Sequence, residues 1–150
     1  MFDLKIKALS PRIGQDIPAP GYATPGAAAM DLRACIGEEV VIPAGERRVI
    51  PTGIAIALPS KDYVALLFAR SGLGIKKGIA LANGVGVIDS DYRGEICVGL
   101  INQSSEDYTI LPGDRICQMM IAPVVCPTLS FVEDLDETER GAGGLGSTGR

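Results

Sequence analysis

The chain has 150 residues, 47% hydrophobic and 21% charged, with a net charge of −4 at neutral pH. These numbers fit one domain with a real core, and the negative balance argues against broad nucleic-acid binding, which needs a basic face. There is no histidine, so a Ser-His-Asp triad is excluded and acid–base chemistry falls to Asp, Glu, Lys, Tyr or Cys.

Nineteen Gly and ten Pro, about a fifth of the chain, favour many turns and short strands over long helices. No stretch reaches the ~18 uncharged apolar residues of a membrane-spanning helix. The first residues alternate apolar and polar without the apolar stretch of a signal peptide, so a cytoplasmic location is expected. Cys35, Cys97, Cys117 and Cys126 form no CxxC pair. They read as small apolar core residues rather than as a zinc site or a disulfide framework.

Residues 2–7 set Phe2, Leu4 and Ile6 against Asp3, Lys5 and Lys7, the pattern of a half-buried strand. Residues 10–27 hold Pro11, Pro18, Pro20 and Pro25 and read as an irregular connection. From Met30 to Ile36 the chain is apolar except for Asp31 and Arg33, which share one strand face. Residues 39–50 read as two strands around Pro43-Ala44-Gly45. Further strands are expected from Ile54 to Leu58 and from Tyr63 to Phe68. Ser71 to Lys77 can form one or two helical turns with Ser71 as N-cap. Val85–Ile88 and Ile96–Ile101 look like strands flanking residues 89–94, and Pro112-Gly113-Asp114 is a turn leading into Ile116–Val125. Many short strands with little helix suggest an all-β jelly roll or barrel-like sandwich. The body spans residues 1–132. Residues 133–150, first acidic and then glycine-rich, read as a mobile arm.

The most informative stretch runs from Asn83 to Glu95 and includes Gly86-Val87-Ile88-Asp89-Ser90-Asp91-Tyr92. If the strand stays regular, Asp89 and Asp91 share a face, where like charges repel unless a metal, an Arg or water separates them. Gly84, Gly86 and Gly94 allow tight bends or close approach of a ligand. A plainer reading is a polar hairpin end with Asp91 paired to an Arg. Ala69-Arg70-Ser71-Gly72 places an Arg, a hydroxyl and a flexible backbone at a possible helix start, where amides favour an anion. The plainer reading there is simple capping by Ser71.

Five stretches in order resemble the signature motifs of the trimeric dUTPase family, over a span from about residue 22 to the end. They are Gly26–Leu32, Ala69–Leu73, Asn83–Glu95, Gly113–Met119 and Arg140–Gly149. The resemblance implies a dUTPase-like β-clip with one short helix. It also implies hydrolysis of dUTP to dUMP and pyrophosphate, which limits uracil entry into DNA and supplies dUMP for thymidylate synthesis. Asp89 would be the general base or would orient the attacking water. Tyr92 would stack beneath the deoxyribose and leave no room for a 2′-hydroxyl. Asn83 and the main chain near Gly86, Val87, Ile88 and Cys97 would read the uracil edge. Arg70, Ser71 and Gly72 would hold phosphates, and Gln118 would touch phosphate or the nucleophilic water. Asp31 would approach Mg²⁺ through a coordinated water.

The last motif implies an arm that closes over bound nucleotide, with Arg140 on the γ-phosphate and Gly146, Ser147 and Thr148 beside it. Ordering ten such residues costs roughly 10 kcal/mol of backbone entropy, so the arm is expected to be disordered without ligand. Leu145 departs from the family, which usually has an aromatic residue there. Leu can bury against a base but cannot stack, so Leu145→Phe is expected to lower KM for dUTP.

The family also implies a homotrimer whose sites are shared between subunits. The rival readings are a dCTP deaminase of related fold, which would release ammonia, and a catalytically silent β-sandwich that binds nucleotide or protein for regulation.

Overall fold

A computed structural model describes residues 2–144. The strands are β1 (Lys5–Ala8), β2 (Gly21–Tyr22), β3 (Met30–Arg33), β4 (Val40–Ile42), β5 (Arg47–Pro51), β6 (Ile54–Ala57) and β7 (Tyr63–Phe68). After the helix α1 (Ser71–Lys77) come β8 (Ile79–Leu81), β9 (Gly86–Ile88), β10 (Cys97–Asn102), β11 (Tyr108–Ile110) and β12 (Arg115–Pro123). They form four antiparallel sheets: β1-β6, β5-β10-β8, β11-β4 and β2-β3-β12-β7-β9. This is the mostly-β architecture with one short helix that the sequence implies.

The core comes from inward positions of these strands. Leu32, Ile42, Ile50, Ile54, Ile79, Val98, Leu100, Ile110, Ile116 and Met119 are almost wholly buried. Branched aliphatics suit a pleated surface, and full burial of each such side chain contributes roughly 1.5–3 kcal/mol. In β10, Val98, Leu100 and Asn102 point inward at period two. Asn102 is fully buried, and its amide donates to the carbonyls of Ile42 and Glu106. Burial without that pairing would be costly.

Several connections differ from the simplest reading of the sequence. The strands on either side of Pro43-Ala44-Gly45 do not pair with each other, since β4 joins β11 and β5 joins β10. Similarly, β9 pairs with β7 while β10 lies in another sheet, so residues 89–96 bridge two sheets and are not a hairpin end. The first strand starts at Lys5 and is exposed on both faces in this single chain. The strands β8 and β11 are too short to show a period. The final strand ends at Pro123, and residues 124–144 hold no helix or strand and are exposed except for Gly143.

Arg70, with extended backbone angles, occupies the N-cap of α1, so Ser71 is the first helical residue rather than the cap. The helix ends at Gly78, whose left-handed φ of 69° lets its amide return to the Leu73 carbonyl. Among the described residues no helix is long and apolar enough to cross a membrane.

Candidate active site

The five-stranded sheet assembles an arginine–carboxylate cluster at one end. Asp31 on β3 lies opposite Gln118 on β12, and Gln118 lies opposite Phe68 at the end of β7. The chain leaving β7 therefore carries Arg70 back over Asp31. Arg70 donates from Nε to Asp31 Oδ1 at 2.8 Å, and Arg115 donates from Nη1 to Asp31 Oδ2 at 3.2 Å. Arg70 also donates to the Arg115 carbonyl at 3.3 Å, and Gln118 donates to the Ala69 carbonyl at 3.3 Å. Arg33, the same-face neighbour of Asp31, instead donates to the Gly113 carbonyl.

A β-bulge makes this cluster possible. Arg115 and Gln118 are three residues apart, so a regular strand would set them on opposite faces. The register shifts between Arg115 and Cys117, pairing Arg115 with Arg33 and Gln118 with Asp31. Both side chains then share a face, while Ile116 and Cys117 are both buried. Bulges re-aim side chains in this way.

The cluster carries two guanidiniums and one carboxylate, an excess of one positive charge. Beside it lies a cavity of about 180 Å³ lined by Arg70, Leu73, Tyr108, Ile110, Asp114 and Arg115. Burial, with help from Asp114 and against Arg70, raises the Tyr108 hydroxyl above its ordinary pKa. Ser71 and Gly72 are exposed at the start of α1, where the first amides lack intrahelical acceptors.

A second region surrounds the chain from β9 to β10. Gly86, Val87 and Ile88 pair with β7 on one side, and the outer edge of β9 has no strand partner among the described residues. A Cβ at Gly86 would lie 2.9 Å from the Leu67 Cβ, so packing against β7 is one reason for glycine there. Asp89 follows the strand, is exposed, and takes part in none of the ion pairs among the described residues. Asp91 is likewise outside those pairs, since Arg93 donates to the Ser90 and Tyr92 carbonyls instead.

Two cavities flank this stretch. One of about 220 Å³ is lined by Val87, Ile88, Asp89, Tyr92, Glu95, Ile96 and Cys97. The other, about 190 Å³, brings in Asn83 and Gly86 and shares Val87, Ile88 and Cys97 with the first. The Cys97 thiol is pushed up from its ordinary pKa by burial and then by the charge of Glu95. Tyr92 donates its hydroxyl to the Glu95 carbonyl at 2.9 Å.

The arginine cavity and the Asp89 cavity share no lining residue. Arg140 lies with neither, and donates from Nε to the Gly143 carbonyl within its own turn. Leu145, Gly146 and Ser147 fall outside the described residues.

The site's donor chemistry bears on a metal. Among the described residues no three His, Cys, Asp or Glu side chains come together. Asp31 already accepts from two guanidiniums, one at each oxygen, with lone pairs left for a water proton. Asp31 could therefore hold a hydrated Mg²⁺ through a coordinated water, which suits a hard cation that commonly keeps several waters.

A model of the dUTPase family matches residues 15–149. The chain belongs to that family. A deoxyuridine 5′-triphosphate nucleotidohydrolase of Serratia proteamaculans is 49% identical over 150 residues, covering 100% of this chain and 99% of that one. The enzyme of the same name from Escherichia coli is 45% identical with the same coverage. Among solved structures, a dUTPase mutant of Staphylococcus bacteriophage 80alpha, determined with dUpNHpp, superposes with a TM-score of 0.86 at 27% identity. Both chains are covered completely. A dUTPase mutant of the Staphylococcus aureus phage phi11, whose structure describes coordination of a structural Mg(II) ion, gives 0.78 at 25% identity. The match covers 91% of this chain and 100% of that one. These likenesses make the fold a dUTPase fold. Sequence reading of the family's motifs had passed over Arg115 and Glu95. Both stand inside those motifs, but neither the bulge that turns Arg115 nor the fold that brings Gly53 to Glu95 leaves a local signal.

Proposed function

We propose that this dUTPase-family chain hydrolyses dUTP to dUMP and pyrophosphate, with Asp89 preparing the attacking water. The observation that carries the reading is the presence of two complementary regions in one chain of full family length. One is a cavity edged by Asp89 and Tyr92, and the other is a cationic cluster of Arg70 and Arg115 around Asp31.

In this reading the outer edge of β9 and Asn83 pair with the pyrimidine. Main-chain donors and acceptors there discriminate because an ill-matched base leaves them unpaired. Tyr92 lies against the sugar. Arg70 and Arg115 hold phosphate oxygens, aided by the hydroxyl of Ser71, the backbone of Gly72 and the side-chain amide of Gln118. Asp89, exposed and outside every ion pair among the described residues, is available to take a proton from water. A carboxylate is a weak base, so positioning of the water supplies much of the rate. Mg²⁺, when bound, screens the triphosphate and stabilises charge on the leaving pyrophosphate. Asp31 would hold it through water while keeping both arginines in place.

The separation of the two cavities supports a site completed between copies, and we take the assembly to be a trimer. One subunit gives Arg70 and Gln118, another Asp89, and a third an arm carrying Arg140, Leu145, Gly146 and Ser147. The division into a body of residues 1–132 and a closing arm of 133–150 belongs to this proposal, as does a cytoplasmic location.

The test is pyrophosphate release from dUTP, dCTP, TTP and UTP with Mg²⁺, comparing wild type with Asp89→Asn. The expected result is turnover of dUTP alone and a loss of roughly 100-fold or more in the variant. Near-normal turnover by Asp89→Asn removes Asp89 as the base. Ammonia release from dCTP would instead favour a deaminase, and dUTP binding without turnover a silent binding protein.

A further inference from the structure

We propose that Glu95 is a positioning residue that fixes the Tyr92 ring, and so sets how strongly the site rejects ribonucleotides. This rests on the function proposed above, and it adds Glu95 and the β5–β6 corner, to which that mechanism gives no part.

Glu95 is held at both its main chain and its side chain. Its carbonyl accepts the Tyr92 hydroxyl at 2.9 Å, and its Oε1 accepts the Gly53 amide at 2.8 Å. Gly53 belongs to the corner between β5 and β6, over forty residues earlier. The neighbouring residues repeat the attachment. The Thr52 hydroxyl and amide both donate to the Ile96 carbonyl, at 2.6 and 3.1 Å, and the Ile96 amide donates to the Ile54 carbonyl at 2.9 Å. Thr52 is 3% exposed and Ile96 is fully buried, so water competes little with these bonds.

The corner itself is tightly specified. Gly53 has φ of +71°, in the left-handed region, and a Cβ there would lie 2.6 Å from the Cys35 sulfur and 2.9 Å from the Cys35 Cβ. Only glycine meets both demands without displacing Cys35. On the other side of Glu95, a Cβ at Gly94 would lie 2.4 Å from the Tyr92 hydroxyl oxygen and 2.6 Å from its ring carbon Cζ. The ring therefore lies directly across Gly94. Tyr92 is 44% exposed, so core packing alone does not fix it. Its hydroxyl bond to Glu95, and the tie from Glu95 to the corner, supply the restraint.

Glu95 also lines the Asp89 cavity, which raises the alternative of a second catalytic carboxylate. The bond from the Gly53 amide argues against that use, because it engages Oε1 with the corner.

A steric wall against a 2′-hydroxyl works only as well as it is held. The test is therefore the ratio of kcat/KM for dUTP to that for UTP, with Mg²⁺, in wild type, Glu95→Ala, Glu95→Gln and Tyr92→Phe. Glu95→Ala is expected to lower the ratio by about tenfold or more, since an amide donor loses its partner. Glu95→Gln keeps an acceptor oxygen for Gly53 and is expected to stay within about threefold of wild type. Tyr92→Phe removes only the hydroxyl and is expected to lower the ratio even if Glu95→Ala fails to fold.

An unchanged ratio in Glu95→Ala or in Tyr92→Phe overturns the inference, whatever happens to kcat. An equal collapse in Glu95→Gln and Glu95→Ala also overturns it, because charge rather than the hydrogen bond would then matter. Wild-type protein that releases no pyrophosphate from dUTP sinks the proposed function, and this inference with it. Turnover in wild type with an undiminished ratio in Glu95→Ala sinks this inference alone.

Discussion

Arg70 and Asp31 stand 39 residues apart in sequence and meet at 2.8 Å, with Arg115 closing on the other carboxylate oxygen at 3.2 Å. One acidic side chain thus restrains two guanidiniums that would otherwise repel. The carboxylate and the Arg70 side chain are 20% and 23% exposed, so water screens the cluster only in part.

Asp31→Asn should therefore do more than remove a negative charge. It keeps the shape but weakens both charge-assisted bonds, and a loss of about 1–2 kcal/mol of stability is expected in urea denaturation. The loss in kcat/KM for dUTP should exceed what stability explains, because the two arginines lose their common anchor.

Arg115→Ala removes a guanidinium placed beside the arginine cavity. The expected effect is a rise of about tenfold in KM for the triphosphate, with little change in product inhibition by dUMP. Equal weakening of both ligands in a competition assay would show that Arg115 acts through the fold rather than on the outer phosphates.

Cys117 is fully buried, and its thiol is pushed up to about 12, first by burial and then by the charge of Asp31, with Arg70 opposing. The folded protein then holds this proton more tightly than the unfolded chain. Its contribution is complete below the ordinary thiol value of 9.0 and is lost as pH rises from there through about 12. The stability gap between wild type and Cys117→Ala should be constant from neutral pH to about pH 8 and shrink above pH 9.

Cys97, by contrast, is exposed in the wall of both cavities that flank the chain from β9 to β10. Iodoacetamide should label it more slowly than a free peptide thiol, because partial desolvation by its neighbours and then the charge of Glu95 favour the protonated thiol. Nucleotide should protect it, and Glu95→Gln should speed the labelling. Mass spectrometry of the modified peptides reads all three effects.

Gly86→Ala would push a methyl group into Leu67, and a cost of about 1–3 kcal/mol is expected from overpacking. Leu67→Ala removes the Cγ and Cδ1 atoms that such a methyl would meet at 3.1 Å and keeps the Cβ at 2.9 Å, so it relieves the crowding in part. The double variant should lose less than the two single losses added together, as measured by denaturant midpoints.

Much of this was legible in the sequence, for identifiable reasons. Tyr63–Phe68 and the range Ser71–Lys77 match the expected elements, because an apolar run and a short polar helix leave a local signature, although the cap is Arg70 rather than Ser71. The partners of the strands were not, because pairing is a long-range choice. Nothing within residues 39–50 says that its two strands part to different sheets. In the candidate site, Asp31, Arg70 and Gln118 do come together, while Arg115 was hidden by a bulge that breaks the period of two. Thr52 and Gly53 belong to no motif, and only the fold brings them to Glu95.

The stretch from Asp89 to Ile96 begins at one sheet, ends at another, and is stitched to the corner between β5 and β6. A segment pinned in this way cannot swing open alone, as a lid does. The Ile96, Thr52 and Gly53 amides that close these bonds should exchange with deuterium only when the sheets themselves separate. In the function proposed above, base and sugar would then dock onto a finished surface. Any slow, ligand-driven step in turnover has to lie elsewhere in the chain.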